Sequence, residues 1–156
     1  KLAGMQSLNT LRVEKGYRDY GHDMDATDTP LEAGLGFIVD FNKRKGFIGK
    51  EALFKQKEAG HLKKRFVQFL LDDPEPLLYY GEMIYRDGRQ VGYVHSGAYG
   101  FTLGGAVALS IIEDDEPIND EYIRNSNFEI EVNNVRHSAS ASLRPMYDPK
   151  NERVKI

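Results

Sequence analysis

Six short β-like runs separated by turn residues occupy the second half of the chain, and they limit its fold more than any other sequence feature. The runs are rich in β-branched, aromatic and other apolar residues, and they lie at residues 65–71, 82–85, 90–95, 106–112, 128–132 and 136–143. Short strands joined by turns instead of helices pair antiparallel with their neighbours. The pattern therefore predicts an antiparallel sheet or a small barrel over this part of the chain.

Two connections between these runs are predicted to be tight hairpin turns. Asp87-Gly88 separates the second run from the third. A two-residue connection of this type closes a hairpin because glycine readily adopts a positive φ. Asn133-Asn134 lies between the last two runs and is predicted to close another hairpin in the same way.

The residues before the β module begin with a predicted helix over residues 7–15. Ser7 is expected to be its N-cap, Leu8 and Leu11 form its apolar pair, and Gly16 is expected to end it. Glu14 lies beside the apolar pair on this helix.

Two further elements are predicted before the β module. Residues 33–39 form a short apolar run bounded by turn residues, which predicts a buried strand. A second helix is expected over Lys50–Ala59, with Gly60 as its C-terminal stop. Because short β-like runs replace the helical pattern after this helix, we place a domain boundary there and divide the chain into residues 1–62 and 63–156.

Composition excludes several classes of protein. With no cysteine in 156 residues, the chain has no disulfide framework, thiolate zinc site or cysteine nucleophile, which favours a bacterial cytoplasmic or mitochondrial matrix setting. A net charge of -3 argues against nucleic acid as a partner. No apolar stretch is long enough to span a membrane. The opening Lys1-Leu2-Ala3-Gly4 resembles neither a signal peptide nor an initiator methionine, so we expect a fragment of a longer chain.

The residues alone indicate no catalytic or metal site. The four histidines are not spaced as metal ligands, and residues 23–28 lack the glycine and closing glutamate of a calcium loop. Residues 97–105 are rich in glycine but contain no phosphate-binding lysine, and neither Ser96 nor Ser110 lies in a nucleophile elbow. From these patterns the chain is an α+β fragment with a β module.

Four motifs stand out in the first part of the chain. They are Leu11-Arg12-Val13-Glu14-Lys15-Gly16-Tyr17-Arg18, Tyr20-Gly21-His22-Asp23, Thr29-Pro30-Leu31-Glu32-Ala33-Gly34-Leu35-Gly36 and Phe47-Ile48-Gly49-Lys50-Glu51-Ala52-Leu53. In order and spacing they closely resemble the folate-binding aminomethyltransferases, the family of the glycine-cleavage T-protein, and the resemblance continues through residues 92–104 of the β module.

Within that family, residues 14–18 and 145–155 look most like the C-terminal folate regions of sarcosine and dimethylglycine dehydrogenases. The resemblance implies the last part of a ferredoxin-like folate domain followed by a small antiparallel barrel. It also implies an enzyme that oxidises an N-methyl amine on FAD and passes the one-carbon unit to tetrahydrofolate. The FAD region and the family's catalytic aspartate would lie in the rest of the same polypeptide, so no catalytic residue is expected in this chain.

The resemblance carries four site residues onto this sequence. Glu14 matches the acid that holds the pterin ring, and a carboxylate can accept two N–H bonds from the 2-amino-pyrimidinone edge. Lys43, with Arg44 beside it, matches the basic position that faces the anionic glutamate end of folate. Arg153 matches a position near the C terminus. One departure from the family is Gly105, which stands where the family commonly has lysine.

Two alternatives remain beside the dehydrogenase. The first is a free-standing aminomethyltransferase of glycine cleavage, acting on a lipoyl-bound aminomethyl group. The second is a non-enzymatic folate-binding relative with a role in assembly or regulation. The sequence upstream would separate them, because only the FAD enzyme needs a Gly-x-Gly-x-x-Gly strand-turn-helix pattern there.

Overall fold

A computed structural model describes residues 2–155 of the chain. It contains three α-helices, seven β-strands and two short 3₁₀ turns. The helices are α1 (Met5–Glu14), α2 (Lys50–Ala59) and α3 (Asp120–Arg124), and the 3₁₀ turns are Gly36–Ile38 and Arg153–Lys155. The strands are β1 (Lys64–Leu71), β2 (Met83–Arg86), β3 (Arg89–Tyr93), β4 (Ser96–Gly100), β5 (Gly105–Glu113), β6 (Phe128–Val132) and β7 (Val135–Ser142).

The seven strands form one antiparallel sheet in the order β3-β2-β6-β7-β1-β5-β4. The sheet curls, so its two ends approach each other. The Ser110 hydroxyl on β5 donates to the Tyr93 carbonyl at the end of β3, at 2.7 Å. The backbone N–H of His95, between β3 and β4, donates to the Leu109 carbonyl. The α+β class and the antiparallel barrel predicted from sequence are confirmed.

Both predicted hairpins are present. Asp87 and Gly88 connect β2 to β3 with φ angles of 47° and 83°, and Asn133 and Asn134 connect β6 to β7 with φ angles of 51° and 62°. Two successive positive φ values are what a type I′ turn requires, and its twist matches that of the paired strands. The predicted helix Lys50–Ala59 is also confirmed, and Gly60 ends it in the left-handed conformation.

Two predictions for the first part of the chain are wrong. Residues 33–39 form turns and a 3₁₀ segment instead of a strand. The Leu35 N–H donates to the Pro30 carbonyl within this turn structure, and Gly34 has a φ of 69°, which interrupts an extended strand. The N-cap of α1 is Gly4 and the helix starts at Met5, so the N-cap lies three residues before the predicted Ser7.

The core lies in two layers. The larger cluster fills the interior of the curled sheet and includes Phe69, whose ring packs edge-on against Phe128. The smaller cluster lies between α1 and the outer side of β1, β4 and β5, and Val13 is its contribution from α1. The apolar pair Leu8 and Leu11 is exposed. Within residues 2–155, no helix has the length and apolar character needed to cross a membrane.

Gly97 allows the loop before β2 to lie directly on β4. A Cβ atom added at Gly97 would lie 2.3 Å from the Leu78 carbonyl carbon, and backbone cannot move aside as a flexible side chain can. We expect Gly97→Ala to lower the free energy of unfolding by about 1–3 kcal/mol, measured by urea denaturation. Gly104→Asn is the control, because its Cβ position is open and asparagine tolerates the positive φ there. An unchanged midpoint for Gly97→Ala would contradict the close approach.

Candidate functional site

Glu14 is the most buried of the predicted site residues. It ends α1, and only 2% of it is exposed. Its Oε1 atom accepts hydrogen bonds from the backbone N–H groups of Thr102 and Leu103, at 2.8 and 2.9 Å, in the turn between β4 and β5. Within residues 2–155, no donor reaches the second oxygen, Oε2. One oxygen therefore holds the barrel turn, and the other accepts no hydrogen bond from the described residues.

Gln68 fixes the backbone at the end of α1. It lies at the centre of β1 and is fully buried. Its Nε2 atom donates to the carbonyls of Val13 and Glu14, at 2.8 and 3.0 Å, and its Oε1 atom accepts from the Met146 N–H at 2.7 Å. These bonds satisfy helix-end carbonyls that have no partner within the helix. They also join α1, β1 and the C-terminal segment at Glu14.

An ion pair between a partly exposed arginine and a buried aspartate holds the same last turn of α1. Arg12 donates to Asp23 Oδ2 at 2.6 Å and to the Ser96 hydroxyl at 2.9 Å. Asp23 is completely buried, and its Oδ2 atom also accepts from the Asp19 N–H. The pair therefore connects α1 to the loop after it and to the first residue of β4.

Lys15 connects α1 to the C-terminal segment. Its ammonium group donates to the Asp148 backbone carbonyl and lies 3.2 Å from Asp148 Oδ2. The two carboxylate oxygens of Asp148 accept from the N–H groups of Glu152 and Arg153. The predicted site residue Arg153 thus lies on a segment that is tied to the residue directly after Glu14.

Arg18 lies in a cleft of about 560 Å³ beside the C-terminal segment. Its guanidinium stacks on the Phe66 ring at 3.9 Å and donates to the carbonyls of Gly16 and Ala33. Burial lowers the pKa of Arg18 to about 10, although the nearby Asp23 carboxylate acts in the opposite direction. The cleft is positively charged, since Lys15 and Arg144 also line it.

The structure places Lys43 and Arg44 apart from Glu14. Both are exposed in the turn before α2. Lys43 lines a largely apolar cleft of about 800 Å³ beside α2, which neither Arg44 nor Glu14 lines. Of the four predicted site residues, Glu14 and Arg153 are therefore connected through Lys15 and Asp148, whereas Lys43 and Arg44 lie on a separate surface.

Sequence reasoning missed the residues that hold Glu14 in place. Gln68 did leave a signal, because it is a polar residue inside the apolar run Phe66–Leu71, where burial would require hydrogen-bond partners. The sequence contains no comparable signal for Thr102 and Leu103, because they contribute backbone N–H groups whose position depends on the turn. In the described part of the chain, no three histidine or acidic side chains are placed to hold a metal ion.

Comparison with known families agrees with this architecture. Residues 64–148 match the family described as the glycine cleavage T-protein C-terminal barrel domain, and residues 1–43 match the GCVT N-terminal domain. The structure defines an antiparallel barrel protein with a buried carboxylate at the end of α1, and the sequence matches indicate the same kind of protein. The chain belongs to the glycine cleavage T-protein family.

Similar proteins include both oxidoreductases and aminomethyltransferases. The chain is 40% identical to the 4-methylaminobutanoate oxidase (formaldehyde-forming) of Paenarthrobacter nicotinovorans, over 99% of this chain and 18% of that protein. It is 36% identical to human mitochondrial sarcosine dehydrogenase, over 98% of this chain and 17% of that protein. It is also 36% identical to the aminomethyltransferase of Pseudothermotoga lettingae, over 94% of this chain and 38% of that protein. The chain therefore spans less than half the length of these relatives.

A solved structure has the same fold. The glycine cleavage system aminomethyltransferase T of Bartonella henselae superposes with a TM-score of 0.74, at 22% sequence identity. The match covers 90% of this chain and 38% of that one. The predicted family and fold class are both confirmed.

Proposed function

We propose that this chain is the folate-binding C-terminal portion of an FAD-dependent dehydrogenase of the sarcosine or dimethylglycine type. In this function it helps to transfer a one-carbon unit from an N-methyl amine to tetrahydrofolate. The observation that carries the proposal is the buried carboxylate of Glu14, which has one oxygen free of protein donors in the described residues. The identity with an oxidase and a sarcosine dehydrogenase over nearly all of this chain supports the choice of enzyme.

The geometry of Glu14 refines how a pterin would bind. Two backbone N–H groups already occupy Oε1. A carboxylate oxygen has about two acceptor positions, so the 2-amino and ring N–H groups of the pterin would both donate to Oε2. In this arrangement Glu14 orients the ring, and Lys43 and Arg44, which lie on a separate surface, would attract only the anionic glutamate end.

In this proposal, the residues that carry out the enzyme's chemistry lie in the rest of the polypeptide. We assign no residue here to FAD, which would accept electrons from the N-methyl amine when bound to the remainder of the polypeptide. We expect no dehydrogenase or transferase turnover from purified residues 1–156, because no catalytic residue is assigned to them. Formation of methylene-tetrahydrofolate by the purified chain, followed by absorbance, would contradict this expectation.

Calorimetric titration of the chain with 5-formyltetrahydrofolate, a stable tetrahydrofolate analogue, tests the proposed function. Saturable binding with one site supports it. Absence of heat and of any shift in the melting temperature at millimolar ligand would overturn folate binding by this chain.

Cytoplasmic or mitochondrial matrix location belongs to the same proposal, since the relatives include bacterial and mitochondrial proteins.

A free-standing aminomethyltransferase is the second candidate function. The 36% identity with the Pseudothermotoga lettingae aminomethyltransferase over 94% of this chain favours it. Both candidates use Glu14 in the same way, so folate titration does not separate them. Sequencing of the adjacent upstream region does, because a Gly-x-Gly-x-x-Gly strand-turn-helix pattern supports the FAD enzyme and a short upstream region supports the aminomethyltransferase.

Lys43 is expected to make a small contribution that depends on salt. An exposed charge pair contributes only about 0–1 kcal/mol and is screened by salt, so Lys43→Ala should weaken binding of 5-formyltetrahydrofolate by up to about fivefold at low salt. The difference should shrink as ionic strength rises. Lys63→Ala is the matched control, because it removes the same charge from another exposed position outside the Lys43 cleft. Equal affinities for the two variants would exclude a specific role for Lys43.

A further inference from the structure

We propose that Gln68 and Lys15 are positioning residues that hold the C-terminal segment, residues 144–153, beside Glu14 and so place Arg153 at the folate site. This inference rests on the proposed function and adds two residues that the family resemblance did not supply. It also assigns a role to the C-terminal segment as one wall of the Arg18 cleft, which Lys15 lines directly after Glu14.

Gln68 is the first anchor, and its hydrogen bonds run in two directions. Its amide donates to α1 through the carbonyls of Val13 and Glu14. Its oxygen accepts from the N–H of Met146 on the C-terminal segment. The amide N–H groups and the amide oxygen of Gln68 thus all have partners. A shift of the C-terminal segment would leave buried polar groups without partners.

Lys15 is the second anchor, and it acts through Asp148. Both side chains are only 6% exposed, so this pair is largely shielded from water. Asp148 in turn accepts from the N–H groups of Glu152 and Arg153, and Arg153 is the first residue of the last 3₁₀ turn. The position of Arg153 therefore follows from the position of Asp148, and Asp148 is held by Lys15.

The two anchors meet at the same point of the molecule. Glu14 and Lys15 are consecutive residues, and Met146 and Asp148 are two residues apart on the segment. The anchored segment also forms a wall of the positively charged cleft, through Arg144, Pro145, Pro149 and Asn151. This double attachment sets the distance between Glu14 and Arg153, which a merely stabilising contact elsewhere in the barrel would not do.

A double-mutant cycle on the whole 156-residue chain tests the inference, with 5-formyltetrahydrofolate as the probe. Arg153→Ala should weaken binding several-fold in the parent chain, with a loss that decreases at high salt. Lys15→Met and Gln68→Met should each weaken binding by a similar factor, because they act through Arg153. In either background Arg153→Ala should then cost nothing further, because the arginine is no longer held at the site. Additive losses would overturn the proposal.

Amide hydrogen exchange measures the anchors independently of the ligand. The Met146 and Arg153 amides should exchange at least about tenfold faster in Gln68→Met and Lys15→Met than in the parent chain. Ser110→Ala is the control for general destabilisation, since it removes a buried hydrogen bond in the barrel and should alter neither the exchange of these amides nor the affinity. Unchanged exchange in the anchor variants would overturn the proposal.

The outcomes separate the two proposals. If the parent chain does not bind the probe, the proposed function fails for this chain, the positioning role fails with it, and amide exchange then measures only the structural anchoring. If the parent binds and the anchor variants bind equally well, the proposed function stands and the positioning role is wrong.

Discussion

Glu14→Gln is expected to weaken 5-formyltetrahydrofolate binding by ten- to hundred-fold while leaving the fold intact. The glutamine oxygen can still accept from the Thr102 and Leu103 N–H groups, so the turn between β4 and β5 keeps its partner. The NH₂ group then replaces Oε2 and faces the donors of the pterin. Loss of a charge-assisted pair corresponds to about 1.5–3 kcal/mol, which is roughly the stated range of Kd.

Glu14→Ala provides the comparison for this prediction. It removes the acceptor for two buried N–H groups as well as the ligand contact, so it should lower both the affinity and the melting temperature. Calorimetry and thermal unfolding of both variants distinguish the two roles of this carboxylate. If Glu14→Gln binds as tightly as the parent, Glu14 serves the barrel turn alone and its assignment as the pterin ligand is wrong.

Arg12→Met is expected to cause the largest loss of stability, about 3–5 kcal/mol in the free energy of unfolding. The Asp23 carboxylate has no exposed surface, and its Oδ1 atom has no partner in the described structure. Without Arg12, the Asp19 N–H would be the hydrogen-bond donor left to Asp23 Oδ2, and the nearby Arg18 would be the remaining positive charge. Urea denaturation followed by circular dichroism measures the loss.

The double substitution Arg12→Met with Asp23→Asn is the control for this prediction. Removing both charges leaves no uncompensated carboxylate, so part of the lost stability should return. A loss below about 1 kcal/mol for Arg12→Met alone would show that water reaches Asp23 and that the pair is of the weak, exposed type.

Local signals in the sequence were sufficient for the elements that depend on neighbouring residues. Asp87-Gly88 and Asn133-Asn134 define their hairpins because the required positive φ angles are a property of those residues. The helix Lys50–Ala59 was predicted with its bounds because glycines flank it on both sides. These elements need no information about what packs against them.

Elements that depend on distant parts of the chain were predicted less well. The apolar pair of α1, Leu8 and Leu11, is exposed, because the barrel packs against the face that carries Thr10, Val13 and Glu14. β4 was overlooked because its glycines weaken a strand pattern, although Gly97 is there to admit the Leu78 backbone.

The candidate site was predicted only as far as the family resemblance reaches. It supplied Glu14, Lys43, Arg44 and Arg153, and these assignments remain predictions. It could not supply Gln68 or Asp148, because their partners lie many residues away and depend on the folded chain.

The fixed carboxylate of Glu14 has an entropic consequence. Ordering a flexible side chain on binding costs about 0.5–1.5 kcal/mol, but the turn N–H groups have already removed the rotational freedom of Glu14 during folding. Lys43 is exposed and retains its freedom until a ligand arrives. Binding energy gained at Glu14 is therefore realised almost in full, whereas much of the attraction at Lys43 is offset by the loss of its motion.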